Sequence, residues 1–345
     1  MHSIRTLCVC EEIRAKMKSV SLEQIKKPLT EALAAYGRFM RAAVVSDSPY
    51  FNEILDYVFD NSGKGIRPTL TLLFAGIESS GRSFDDRNYL AATLVELIHT
   101  ASLVHDDVVD DATVRHGKPS VNKIWGKRNS IITGDFILAK ILETGMQSGQ
   151  YDILTYVSHG IKSLCEGEVI QDEQSRSLEM TREKYFEIIN KKTAVLIAIS
   201  CGVGAVSSHA SAVDADRAYE IGRCLGMAFQ IKDDILDYAA TDQTGKPQCA
   251  DLREHKITLP LLTLLEESTD DEKELLKSLV RESDSHENSI NVIRSMVARS
   301  GGLEKAEAVA NDFLDRARTL IAEYPPSPYR TSLEQMCDYL AERTK

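Results

Sequence analysis

Apolar residues recur at three- and four-residue spacing through most of this chain, and that period constrains the fold more than any other feature. Leu90, Leu94, Leu97, Ile98, Ala101 and Val104 make one such face. Leu154, Val157, Ile161, Leu164 and Cys165 make a second, and Ile221, Cys224, Leu225, Ala228, Phe229, Ile231 and Ile235 a third. Side chains three and four apart share one side of an α-helix. Helices apolar over more than half their circumference belong inside a bundle rather than on its surface. Alternating, strand-like runs are few, and the chain has only nine prolines. The period therefore predicts an all-α protein, and 345 residues with 43% hydrophobic content supply a sizeable core.

Turn chemistry marks where the helices break. Gly63 precedes Pro68, which fits a first helical turn; residues 81–86 form a polar connection; Gly117, Lys118 and Pro119 end a helical segment. Ser211 with Asp214, and Thr269 with Glu272, have the spacing of capping boxes. Gly301-Gly302 and Pro325-Pro326-Ser327-Pro328 separate the last helices. No repeat or long linker divides the chain. Residues 1–20 are expected to be a poorly ordered extension, and 21–345 a single-domain bundle of roughly ten or more helices.

A net charge of -11 argues against generic binding to nucleic acid or to an anionic membrane. An anionic substrate would then need a local cationic site or bridging metal ions. Seven scattered cysteines, at 8, 10, 165, 201, 224, 249 and 337, form no CxxC pair and read as reduced thiols of a cytoplasmic protein. The beginning of the chain makes a poor signal peptide. The most apolar stretch, Ala194 to Val206, is shorter than the roughly 20 residues a bilayer requires and reads as a buried helix, not a transmembrane segment.

Two segments carry the chemistry: Leu103-Val104-His105-Asp106-Asp107-Val108-Val109-Asp110, and Phe229-Gln230-Ile231-Lys232-Asp233-Asp234-Ile235-Leu236-Asp237. Each contains DDxxD. On a helix Asp106 and Asp110 share a face, as do Asp233 and Asp237. Gathering carboxylates beside apolar helix is costly unless cations compensate. Magnesium suits the task, because it takes one or two carboxylates, keeps water and completes its shell with substrate phosphates. Asp111 lies outside the repeated pattern and reads as surface charge. The cationic complement is Lys64 and Arg67 about one turn apart, Arg115 and His116 after the first cluster, Lys192 with Thr193 opening the most apolar helix, and Lys246 and Lys256 around the loop after the second. Lysine and arginine are the usual partners of diphosphates.

Taken together, GKxxRP at 63–68, ELIHTASLVHDDVVD at 96–110, Arg115, GD at 134–135, KT at 192–193, FQIKDDILD at 229–237, and TGKP, DL and TLP between 244 and 260 resemble the trans-isoprenyl diphosphate synthases, or polyprenyl synthetases, in their medium- and long-chain forms. The resemblance covers about residues 60–262. It implies an isoprenoid-synthase bundle in which the two motifs face each other across a central cavity. It also implies a prenyltransferase that joins isopentenyl diphosphate head-to-tail to an allylic diphosphate such as farnesyl or geranylgeranyl diphosphate. By match, Asp106, Asp107, Asp110, Lys192, Asp233 and Asp234 are catalytic. A cluster of three magnesium ions would be held by Asp106, Asp110 and Asp233, with Asp237 completing the set directly or through water. Arg115, Lys192, Lys246 and Lys256 would grip the allylic diphosphate, and Thr193 and Gln230 line the reacting region. Lys64, Arg67, His99 and His116 would hold isopentenyl diphosphate. The family is commonly homodimeric.

In such enzymes the product grows down a tunnel whose upper floor lies four and five residues before the first aspartate. Here Ser102 and Ala101 are both small, which implies a product of roughly C30 to C50; the alternative is that the pair are simply close helix contacts and Ile98, Leu97 or Leu94 blocks the chain lower down. Three departures stand out: His116 replaces the second arginine of the usual Arg-Arg pair, and Cys249 and His255 stand where glycine is common. A shorter-chain synthase, of roughly C20 to C25, stays open. So do a class I terpene cyclase, which normally lacks the second DDxxD, and a non-catalytic subunit of a heteromeric synthase.

Overall fold

The computed structural model describes residues 20–61, 63–79, 81–239 and 249–343. Cys8, Cys10, Lys246 and almost all of the expected N-terminal extension lie outside these residues. The described chain is almost entirely helical, as its period demands. After α1 (Leu22–Lys26) and a 3-10 turn come α2 (Thr30–Ala43), α3 (Pro49–Asp60), α4 (Ile66–Glu78) and α5 (Asp86–Val109). A small hairpin, β1 (Val114–Arg115) and β2 (Lys118–Pro119), leads to α6 (Val121–Ser148) and α7 (Tyr151–Ser177). A continuous helix follows, built from α8 (Arg182–Ile189), a π turn (Asn190–Ala194) and α9 (Val195–Ser207). The rest comprises α10 (Ala212–Ala239), α11 (Ala250–Arg253), α12 (Leu259–Glu267), α13 (Asp270–Arg281), α14 (Glu287–Arg299), α15 (Gly302–Ile321) and α16 (Pro328–Ala341).

Helix α9 is the apolar centre. It packs on α10, α4, α5 and α7, and nearly every one of its side chains is buried. The whole run from Arg182 to Ser207 is apolar and long enough to cross a bilayer, yet 78% of its most apolar window lies inside the bundle. Two apolar clusters hold the fold. The larger one spans α1 to α7, α9, α10, α15 and α16; the smaller one joins α8 and the second half of α10 to α11–α15, and Phe313 touches both. Gly226 sets the distance between α10 and the π turn, because a Cβ there would stand 2.5 Å from the Cα of Ala194. A close helix crossing of this kind requires glycine.

Both expected capping pairs are present: Ser211 Oγ accepts from the Asp214 amide, and Thr269 and Glu272 form a full capping box. Pro68 lies in the first turn of α4. Two expectations are corrected. The 117–119 segment does not end a helix. It turns and completes the β1–β2 hairpin, in which Arg115 pairs with Lys118. Positive φ at both His116 (50°) and Gly117 (78°) is the pattern of a type I′ turn, whose twist matches the two strands. Helix α7 is less enclosed than its period suggests: Val157 is buried, Leu154, Ile161 and Leu164 are half-buried, and Cys165 is exposed.

Candidate active site

The first motif ends α5. Asp106 and Asp107 occupy its last turn, and Asp110 is the residue just past it, its amide bonded to the Asp106 carbonyl at 2.8 Å. The three carboxylates diverge in role. Asp107 is buried and accepts from Arg115 Nε at 2.9 Å and Nη2 at 2.6 Å. The hairpin thus exists at the point where Arg115 must be brought back over α5. Asp106 and Asp110 interact instead with the charges of Glu168, Lys192 and Lys256. Burial, then the nearby Glu168, pushes Asp106 up to about 6 against the opposing pull of Lys192. Burial raises Asp110 too, with Lys256 as the main counter-charge.

The register of α5 is set by a residue named in the sequence only as part of a motif. His105 packs into the space over Gly134, where any Cβ would overlap its ring. Its Nε2 lies 3.2 Å from the Ile131 carbonyl and 3.4 Å from Asp135. Gly134 and Asp135 therefore form a seat on α6 for the side chain that precedes Asp106.

The second motif lies near the end of α10. Asp234 is buried and doubly bonded, to Tyr185 Oη at 2.6 Å and Gln230 Nε2 at 2.8 Å. Thr193 Oγ1 donates to Gln230 Oε1 at 2.7 Å, which fixes the orientation of that amide. Burial, then the charge of Asp251, raises Asp234 well above the ordinary carboxylate range. Asp237 accepts from the amides of Ala250 (3.0 Å) and Asp251 (3.2 Å), and so caps the short helix α11. Asp233 pairs with Arg343 at 2.5 Å.

Lys192 and Thr193 do not open a helix, as the sequence reading had it; they sit in a π turn within a continuous one. The π turn widens the helix locally and turns Lys192 toward Glu168, 2.9 Å away on α7. Such bulges are frequent at functional sites. The charge of Lys192 acts on both Asp106 and Asp251, and that of Lys256 on both Asp110 and Asp251. The two acidic regions therefore share the same pair of lysines. Lys192, Thr193, Gln230, Asp234, Asp251 and Lys256 line one cavity.

A second cavity is lined among others by Gly63, Glu96, His99, Asp107, Arg115 and His116. His99 is held far below its ordinary value by burial first, then by Arg67, His116 and Arg115. His116 Nδ1 lies 3.1 Å from the Asn61 carbonyl. Arg67 is half-buried and within reach of the charge of Glu96, while Lys64 Nζ donates to Tyr339 Oη at 3.3 Å. Ala101 is buried in the large core, and Ser102 donates its hydroxyl to the His99 carbonyl at 2.9 Å.

The sequence reading missed several groups that complete these cavities. Glu96 and Glu168 are the acidic partners of Arg67 and Lys192. Asp251 is pushed up to about 6 by burial and then by Asp237. Tyr185 orients Asp234, and Arg343 reaches Asp233. Asp251 and Glu96 carried a signal, as the aspartate of the DL landmark and the first residue of the 96–110 landmark. The others become visible only when distant helices meet.

The donor set suits a hard divalent cation. Asp106, Asp110, Asp234 and Asp251 are all raised by burial, which is a cost that added positive charge would offset. Among the described residues, no three acidic, histidine or cysteine side chains close on one point to cage an ion by themselves.

Comparison with known proteins agrees with this geometry. The family model for polyprenyl synthetase matches residues 48–297. The chain is 34% identical to heptaprenyl diphosphate synthase component 2 of Geobacillus stearothermophilus, over 91% of this chain and 97% of that one. Its fold superposes with a TM-score of 0.86 on the polyprenyl synthase of Caulobacter crescentus, solved with calcium and isoprenyl diphosphate. The two share 31% identity, with 95% of this chain and 99% of that one covered. The decaprenyl diphosphate synthase of Rhodobacter capsulatus gives a TM-score of 0.87 at 30% identity, covering 94% and 99%. This chain belongs to the polyprenyl synthetase family and is an all-helical prenyltransferase.

Proposed function

We propose that residues 21–345 form one catalytic domain that extends an allylic diphosphate of farnesyl or geranylgeranyl size with isopentenyl diphosphate. The product would be a polyprenyl diphosphate of roughly C30 to C50, the range of a tunnel with small upper residues. The observation that carries this reading is the sharing of Lys192 and Lys256 between the two acidic regions, with a separate cavity lined by His99, Arg115 and His116. One cavity suits a metal-bridged diphosphate. The other, lined by His99, Arg115 and His116 along with Glu96 and Asp107, suits a second diphosphate bound by side chains. The heptaprenyl and decaprenyl synthases among the similar proteins support the length range.

In this reading Asp106, Asp110 and Asp233 hold magnesium, and Asp107, Asp234 and Asp237 brace Arg115, Gln230 and α11. Bound magnesium supplies positive charge to the pyrophosphate as it departs. Lys192 and Lys256 add fixed cations there, whereas Arg115 lines the other cavity with His99 and His116. As the allylic C–O bond breaks, its electron pair leaves with the pyrophosphate. Lys64, Arg67, His99 and His116 hold isopentenyl diphosphate so that its alkene pair can attack the allylic carbon. The departing pyrophosphate then takes a proton from the adjacent carbon, and the electrons of that C–H bond form the new double bond. Holding both substrates side by side removes much of the entropic barrier, and the apolar walls keep water from the cation.

Ile131, Leu142 and Met146 on α6 are large, apolar and exposed, which supports a homodimer through this helix. The similar protein named as a component supports a second reading, in which the chain works with a different subunit.

The test is the purified chain alone with magnesium, farnesyl diphosphate and labelled isopentenyl diphosphate, its oligomeric state read by light scattering. Chromatography of the dephosphorylated products should show a chain in the stated range. Asp106→Asn and Asp233→Asn should each cut kcat on the order of 100-fold or more. Product formed from the allylic diphosphate alone would instead indicate a cyclase. Inactivity relieved only by a second subunit would favour the component reading.

A further inference from the structure

The turn that follows α16 is fastened to the second aspartate motif at two neighbouring points. Lys232, only 4% exposed, donates to the Ala341 carbonyl at 2.8 Å and pairs with Glu307 of α15. Two residues further along, the guanidinium of Arg343 lies 4.3 Å from the centroid of the Phe229 ring and 2.5 Å from Asp233 Oδ1. Phe229 and Asp233 are four residues apart on α10 and so present one face. Together they seat a planar cation between an aromatic surface and a carboxylate, which guanidinium fits better than ammonium. The Arg343 side chain is 16% exposed, so this is an enclosed pair rather than a loose surface contact.

We propose that Arg343 is the resident counter-ion of Asp233, occupying in the cation-free enzyme the charge position that a divalent ion takes on binding. This rests on the reading of Asp233 as a metal ligand. A guanidinium 2.5 Å from the carboxylate and a divalent ion on that same carboxylate would be two positive charges within a few ångströms. Binding the ion is therefore an exchange: the guanidinium withdraws as the ion enters. The exchange reduces the apparent affinity of this position by the work of breaking the Arg343 pair, and leaves the positions at Asp106 and Asp110 untouched. Arg343 thereby sets how much divalent ion the enzyme needs before its second motif is loaded. The carboxylate is not left uncompensated at low ion concentration, where an unpaired half-buried charge would weaken the end of α10. Lys232 keeps the turn in place while the side chain moves, because it binds the Ala341 carbonyl independently of Asp233.

The experiment is a titration of the purified full chain with Mn2+, an electron-spin-resonance-visible substitute for Mg2+, reading free ion directly. Wild type is compared with Arg343→Gln, Arg343→Lys, Asp233→Asn and the Arg343→Gln/Asp233→Asn double variant, each checked for native helicity by circular dichroism. The ion lost in Asp233→Asn should bind about five- to tenfold more tightly in Arg343→Gln than in wild type. Arg343→Lys should fall between, since it keeps charge but loses the stack. In the Asp233→Asn background, Arg343→Gln should change nothing. Unchanged or weaker binding in Arg343→Gln overturns the proposal while leaving Asp233 a ligand. If Asp233→Asn removes no ion from the wild-type stoichiometry, the metal reading of Asp233 itself fails, and this inference with it.

Discussion

His99 shows how a single side chain takes its chemistry from its neighbours. It lies in the cavity lined by Glu96, Arg115 and His116, and burial first, then Arg67, His116 and Arg115, hold it well below its ordinary value. In the unfolded chain it would titrate near the ordinary histidine value of about 6.5. The folded pKa is depressed, so below that pH the unfolded state takes up a proton that the folded state refuses. Stability is then lost as pH falls, by up to about 1.4 kcal/mol per unit from this group. Denaturant unfolding at pH 7 and pH 5 should show a smaller acid loss in His99→Gln than in wild type; equal losses would remove His99 as the cause. The same scale explains two of the sequence departures. Cys249 and His255 both adopt positive φ, at 50° and 57°, which is the backbone region where glycine carries no steric penalty. The chain keeps the turns that glycine makes easily and accepts the strain of side chains there.

At the scale of elements, the site depends on how closely four helices approach. Gly226 lets α10 lie against the π turn, so that Thr193 can reach Gln230 and through it Asp234. Gly134 lets the His105 ring sit on α6, and with it the turn that carries Asp106. Gly134→Ala should push that ring out of its seat, costing about 1–3 kcal/mol of stability and lowering kcat. In a His105→Ala background the same change should cost little, because nothing remains to collide with the added methyl. An equal cost in both backgrounds would show that the seat is not what requires glycine. The β1–β2 hairpin acts in the same way: its two-residue turn returns Arg115 to Asp107, eight residues earlier in the chain.

Over the whole molecule, α5 connects the reacting end to the core. Ala101 lies one turn above Ile98, and below them Leu97 and Leu94 are fully enclosed. At the level of Ile98 three helices converge: a Cβ on Gly160 of α7 would stand 2.7 Å from Ile199 of α9 and 3.9 Å from Ile98 of α5. In the proposed reading this convergence is the floor below the small pair Ala101 and Ser102. Ala101→Phe should therefore shorten the product by several isoprene units, measured by chromatography after dephosphorylation. An unchanged product would mean that the growing chain takes another path.

Local periodicity determined that this chain is helical, and turn chemistry placed most of its breaks, because both depend on residues a few positions apart. The paired DDxxD motifs and their basic companions were legible for the same reason: a helix puts positions i and i+4 side by side whatever the fold. Tertiary structure alone decided what each aspartate does. Asp107 holds Arg115, Asp234 is tied to Tyr185 and Gln230, Asp237 caps α11, and Asp233 meets Arg343. Only packing could add Glu168 to the site, or turn the expected helix start at Lys192 into a π turn. Those pairings join helices separated by tens of residues in sequence. A side chain's charge state, partner and direction follow from burial and from which distant helix lies opposite, and neither is written in the local spacing of residues.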